Sequence, residues 1–162
     1  MPKASPRKIS TSAPQGVSPL NFDPIFDAIV THKIAHQEHN HAVELHSILE
    51  QELAPEVCRT LITACSRDIV ATDDPRWIAA EKRVDKTSDA EAEAANAILA
   101  VTPRTLRGAI ALLAYAADHV DAGGIWTGDP EGGDHDWSFQ LHKMLAGALA
   151  HMLSSGEKNG NR

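Results

Sequence analysis

A chain of 162 residues with a net charge of −7 is long enough for one domain with its own core and short for two. Apolar residues make up 43% of it and aromatics only 4%, so Ala, Leu and Ile carry the packing and favour closely approaching helices over a sheet. The acidic balance leaves too few Lys and Arg to displace phosphate counterions, and no nucleic acid is expected as a partner. No run of about eighteen apolar residues occurs, so no membrane-spanning helix and no membrane partner are expected either.

Residues 1–20 combine Lys3, Arg7 and Lys8 with four prolines and four serines and no acid. Such a composition cannot repay the entropy of ordering, so 1–20 reads as a disordered basic leader. It lacks the apolar core of a secretory signal, and the expected compartment is the cytoplasm. Residues 21–155 read as an all-α domain, an antiparallel bundle of four to five helices, and 156–162 as a disordered tail.

The first helix is predicted over 23–52, opened by Asp23-Pro24, a capping oxygen before a proline whose missing N–H costs nothing in the first turn. Its seam is Ile25, Ile29, His32, His36, His39, Val43 and His46. A second apolar flank, Phe26, Val30, Ile34, Leu45 and Ile48, implies partners on two sides. A second helix is predicted over 55–71, burying Cys58, Leu61, Ile62, Cys65 and Ile69. Seven residues of helix separate the cysteines by roughly 10.5 Å, too far for a disulfide, which points to a reducing compartment.

Asp74-Pro75 opens a third helix, 75–101, in which Ser88-Asp89-Ala90-Glu91 has the form of a capping box and marks a candidate break. Thr102-Pro103 opens a fourth, 103–121, with the seam Leu106, Ile110, Leu113, Ala117 and Val120; Gly123-Gly124 supplies its stop. A glycine- and acid-rich loop, 122–135, leads to a last helix, 136–154. That helix is expected to bury Trp137, Leu141, Met144, Leu145, Ala148 and Met152 and to close at Ser155-Gly156.

Histidine is the residue type that carries chemistry here. At roughly 100° per residue, His32, His36, His39 and His46 fall within about 80° of one another. Neutral imidazole ligates zinc and iron, so His32, His36 and His39 form a candidate metal site, with a further ligand required from His119, Asp118 or His142. The competing reading is that these rings pack at helix contacts, hydrogen-bonded to acids or backbone. Other signals are thinner. The acids Asp129, Glu131 and Asp134 suit a hard cation but lack the ligand ladder of a calcium loop. Thr102 to Gly108 could open a DNA-recognition helix. Neither cysteine has a histidine at helical spacing to activate it, and no phosphate loop or nucleophile elbow occurs.

Asp23-Pro24-Ile25-Phe26-Asp27-Ala28-Ile29 leading to His32-Lys33, then Thr102-Pro103-Arg104-Thr105-Leu106-Arg107-Gly108, and Trp137 before a leucine-alanine helix, resemble a group of small uncharacterised bacterial all-helical proteins. The resemblance spans roughly residues 22–154 and implies a bacterial cytosolic protein with a helical fold. It implies no activity and no catalytic residue.

The principal functional expectation is therefore a non-catalytic interaction or accessory protein without a cofactor, bound to a protein partner or to itself as a homodimer. The alternative is a metal-binding bundle using His32, His36 and His39 with zinc or iron. A DNA-binding regulator ranks third.

Overall fold

In the computed structural model, residues 22–63, 65–126 and 136–159 are described, the side chains of 156–159 excepted. The predicted basic leader and the acids Asp129, Glu131 and Asp134 lie outside them. The chain is mostly helical: α1 (Ile25–Glu52), a short 3-10 turn (Pro55–Val57), strands β1 (Leu61–Ile62) and β2 (Arg67–Asp68), then α2 (Pro75–Ala100), α3 (Leu106–Asp121) and α4 (Trp137–Asn159). Among the described residues no helix is long and apolar enough to cross a membrane.

The first helix runs unbroken as its periodicity predicts. It lies antiparallel to α2, because partners descend along α2 as they ascend along α1: His36 meets Glu91, His39 meets Thr87 and His46 meets Glu81. Asp74 caps α2 as expected, its carboxylate accepting from Arg76 N at 2.8 Å with Pro75 in the first turn. Ser88 to Glu91 does not break α2, which continues to Ala100. With its neighbours already helical, a capping-box sequence finds no free N–H to satisfy.

The predicted helix over 55–71 is replaced by the 3-10 turn and an antiparallel hairpin pairing Leu61 with Asp68 and Ile62 with Arg67. Polar side chains hold this conformation. The Asp73 carboxylate accepts from the Arg59 and Thr60 amides, Thr60 Oγ1 accepts from Val70 N at 3.0 Å, and Trp77 Nε1 donates to Thr60 O at 2.9 Å. Glu81 of α2 accepts from Ile62 N at 2.9 Å. Leu61 and Ile69 are exposed rather than buried. Cys65 is exposed, Cys58 half-buried, and both are free.

The third helix begins at Leu106, three residues later than predicted, with Thr105 as its cap accepting from Gly108 N at 2.9 Å. The lead-in stays extended because Asp23 accepts from both Arg104 N (2.9 Å) and Thr105 N (2.8 Å). The buried face is also the opposite of the expected seam. Gly108, Ala109, Leu112, Tyr115, Ala116 and His119 point inward, while Leu106, Ile110, Leu113 and Val120 are exposed. Small residues inside let the helix approach α1 closely: a Cβ on Gly108 would lie 2.9 Å from the Ile25 side chain. Gly123, at φ 86°, closes α3 in the left-handed conformation expected of it.

The core gathers Ile25 and Ile29 of α1, Ile98 of α2, Leu112 and Tyr115 of α3, and Trp137, Leu141 and Leu145 of α4. Trp137 donates to Ala95 O at 3.0 Å, and Trp126 stacks on it with ring centroids 3.7 Å apart. Helix α4 runs on to Asn159, past Ser155-Gly156. One glycine costs a helix only about 1 kcal/mol and does not by itself end it.

Candidate metal centre

His32 lies two turns into α1 and is 1% exposed. Its position follows from the seam that buries Ile29 one turn and Ile25 two turns earlier, with α3 passing across the same face. There it meets Tyr115, whose Oη is 2.5 Å from His32 Nδ1, and the ring of His119, 5.2 Å away centroid to centroid. From α2, Glu91 reaches the same point. One ligand-type atom from each of His32, Glu91 and His119 lies within 4.8 Å of the others. Three helices thus deliver two imidazoles and one carboxylate to a single locus.

Each of two ligand-type residues has an outer atom already engaged. His36 Nδ1 is 2.5 Å from Glu91 Oε1, and Asn40 Nδ2 is 3.0 Å from His36 Nε2. An amide NH2 only donates, so His36 Nε2 accepts and its Nδ1–H donates to Glu91. That arrangement fixes the Glu91 carboxylate. Tyr115 likewise fixes His32 through Nδ1 and leaves Nε2 for another partner. The Nε2 of His119 is buried with no hydrogen-bond partner among the described residues, an arrangement that costs about 1–3 kcal/mol if nothing fills it.

Electrostatics keep both inner imidazoles in the form a metal requires. Burial, reinforced by His119, pushes His32 down to about 4, against the pull of the Glu91 charge. Burial and His36 also lower His119, opposed by Glu91 and by a hydrogen bond to the Ile125 backbone. Burial and then Glu91 push the Tyr115 phenol up to about 12, so it stays protonated as a hydrogen-bonding group rather than a phenolate ligand.

A cleft of about 260 Å³ opens beside the cluster, lined among others by His36, Ser88, Gly124 and Ile125. Gly124 is pressed on His119: a Cβ there would collide with its Cε1 and Nε2. Trp126 covers the other side, its ring 4.3 Å from His119 and 4.9 Å from His32.

Of the predicted trio, His32 stands in the three-helix cluster, with His36 against the Glu91 carboxylate. His39 lies farther along, its Nδ1 3.2 Å from Thr87 Oγ1 and its Nε2 4.0 Å from Glu91 Oε2. Among the residues considered for a further ligand, His119 joins the cluster, while Asp118 and His142 are exposed. Glu91 is the residue that sequence reasoning missed. A signal for it exists, since Glu81, Val84, Ser88, Glu91, Ala95 and Ile98 share one face of α2 at three-four spacing. His46 has a separate role, 2.8 Å from Glu81 Oε1.

Comparison of the chain with protein-family models, with curated proteins and with solved structures returns no match.

Proposed function

We propose that this protein binds one divalent transition-metal ion, zinc or iron(II), through His32, Glu91 and His119. The observation that carries the reading is the buried Nε2 of His119, without a partner among the described residues, inside a cluster whose other two members come from different helices. Ligand atoms within 4.8 Å of one another each need to move inward by under about 1 Å to meet an ion at 2.0–2.2 Å. Two imidazoles with one carboxylate suit zinc and iron(II) and disfavour calcium or magnesium, which take oxygen. Tyr115 and His36 supply the outer hydrogen bonds that orient metal-bound histidines and carboxylates. Three protein ligands leave at least one coordination position open toward the cleft, where a bound water would become acidic.

The test is elemental analysis of tag-free protein grown with zinc or, anaerobically, with iron(II). About one ion per chain is expected, lost in His32→Ala and His119→Ala and retained, more weakly held, in His39→Ala. No stoichiometric metal in the folded wild type refutes the reading.

A second reading, an interaction protein, is favoured by the exposed apolar residues Leu106, Ile110, Leu113 and Val120 along α3. The two readings are compatible. We also take the four helices as an antiparallel bundle in a cytoplasmic protein, a placement that its two free cysteines support.

A further inference from the structure

The helical pair α1–α2 has one face turned toward α3, α4 and the histidine cluster. Its opposite face carries two apolar grooves in line. One, of about 400 Å³, is lined by Ala42, Leu45, Ile48 and Ala79, with Arg83 at its edge. The other, of about 340 Å³, is lined by Ile34, Ala35, Ala90 and Ala97, with Glu38 and Glu93 at its edge. Along α2 the series 76, 79, 83, 86, 90, 93, 97 is one stripe at three-four spacing, so the grooves form a single strip. Ile34, Leu45 and Ile48 on it are 52%, 37% and 45% exposed, and no other element of the described chain covers them. The strip is basic at one end and acidic at the other. Arg83 and Glu93 are exposed, and among the described residues neither forms an ion pair.

We propose that this strip docks a second copy of the chain about a two-fold axis crossing α2 level with Ser88, giving a four-helix interface of α1 and α2 with their counterparts. The charge pattern selects this occupant. Arg83 and Glu93 lie five residues to either side of Ser88, about 7.5 Å each way along the axis. A two-fold rotation there sets Arg83 of each copy level with Glu93 of the other, so one charge contact is made twice by one self-complementary patch. Lys86 falls within a turn of Glu38 by the same operation. The apolar residues match as well: His39 is level with Thr87, so Ile34 of one copy falls within a turn of Leu45 of the other. The alanines Ala79, Ala90 and Ala97 bring the helices close without obstruction. The inference does not depend on the metal.

The experiment is sedimentation equilibrium on the full chain across micromolar concentrations, with charge reversals at the two ends. The wild type is expected to reach twice the monomer mass of 17.4 kDa. Arg83→Glu alone sets like charges opposite at both contacts, as does Glu93→Arg alone, and each should weaken self-association by about thirtyfold or more. An equimolar mixture of the two single variants should form a heterodimer. The acid introduced at position 83 of one copy then faces the base introduced at position 93 of the other, and the unaltered Arg83 and Glu93 face each other. A folding defect cannot give that recovery. A wild type that stays at the monomer mass overturns the proposal, and so does a dimer that both reversals leave unchanged or a mixture that does not associate. Loss of metal binding with the dimer intact would refute the metal reading alone.

Discussion

Replacing Asp23 by Asn should destabilise the fold by about 2–3 kcal/mol, and by more than any exposed acid, because one carboxylate ties two helix starts together. Asp23 is 1% exposed. Its Oδ1 accepts from Ile25 N at 3.2 Å, and its Oδ2 accepts from Arg104 N, Thr105 N and Thr105 Oγ1 at 2.9, 2.8 and 2.8 Å. Asn preserves the shape but offers one oxygen. If that oxygen takes the place of Oδ2, its NH2 faces the Ile25 N–H, and three bonds lose their charge assistance. Charged hydrogen bonds contribute about 1.5–3 kcal/mol each and are not additive within one group, which sets the magnitude. In a chain of this size the change lowers Tm by about 4–12 °C. The pH dependence is the sharper check. Burial works to raise the carboxyl, but the Thr105 hydroxyl and the three backbone amides outweigh it and hold Asp23 below its ordinary value. A depressed folded pKa contributes stability that is fully present above the unfolded value near 3.9 and lost as pH falls through the folded one. Urea titrations followed by far-UV circular dichroism should therefore show the gap between wild type and Asp23→Asn intact at neutral pH and closing below about pH 4. A gap under about 0.5 kcal/mol at pH 7 would refute the account. A gap of the same size at pH 3 would show that shape, not charge, carries the effect.

Gly108→Ala should cost about 2–3 kcal/mol in the same assay despite alanine's better helix propensity, because the new Cβ would collide with Asp23 Oδ2; a neutral or stabilising result would contradict the packing. Gly124→Ala should leave the fold in place and weaken zinc binding about tenfold or more in a competition titration, since its Cβ would run into the His119 ring. Tyr115→Phe removes only the oxygen 2.5 Å from His32 Nδ1 and should lower zinc affinity about 10–100-fold; unchanged affinity would remove Tyr115 from the site. Glu81→Gln disturbs both the His46 contact at 2.8 Å and the acceptor of Ile62 N at 2.9 Å. It should cost about 1–3 kcal/mol and speed hydrogen exchange at the Ile62 amide.

The long helices are legible because many residues vote on one period. Asp74-Pro75 is legible because a cap acts through its own side chain and the next two residues. The hairpin is not, for a physical reason. Cys58, Leu61, Ile62, Cys65 and Ile69 satisfy a helical period, yet the conformation is set by Asp73, Thr60 and Glu81 taking up backbone amides from up to nineteen residues away. Those bonds have no local signature. The richness of 59–72 in Thr, Ile and Val is the available hint. On α3 the period is helical as expected, but the buried face is the other one. Large aliphatics point inward by default, whereas close approach to α1 selects Gly108, Ala109 and Ala116 for the interior and turns Leu106, Ile110 and Leu113 outward.

The candidate site shows what a single helix can contribute to a metal. His32 to His39 covers seven residues, about 10.5 Å of rise, whereas atoms around one zinc ion lie within about 4 Å of one another. A straight helix can therefore bring two neighbouring turns to an ion, and the remaining ligands have to arrive from elsewhere in the fold. In the proposed site they come from α2 and α3, and the rings left over on α1 make other contacts: His36 holds the Glu91 carboxylate, and His46 meets Glu81, which binds the hairpin. The histidine stripe is visible in the sequence because it is local. Glu91 is hidden by a capping-box pattern, and His119 stands out only as one option among several. What distinguishes these two from the other acids and histidines is that their ligand atoms converge with that of His32 from facing helices, which depends on the registers of α2 and α3 against α1. Asp23 fixes the register of α3 nine residues before His32, so loosening its bonds should weaken the metal site as well as the fold. Parallel zinc and stability titrations of Asp23→Asn check that coupling, and full affinity in the folded variant would break it.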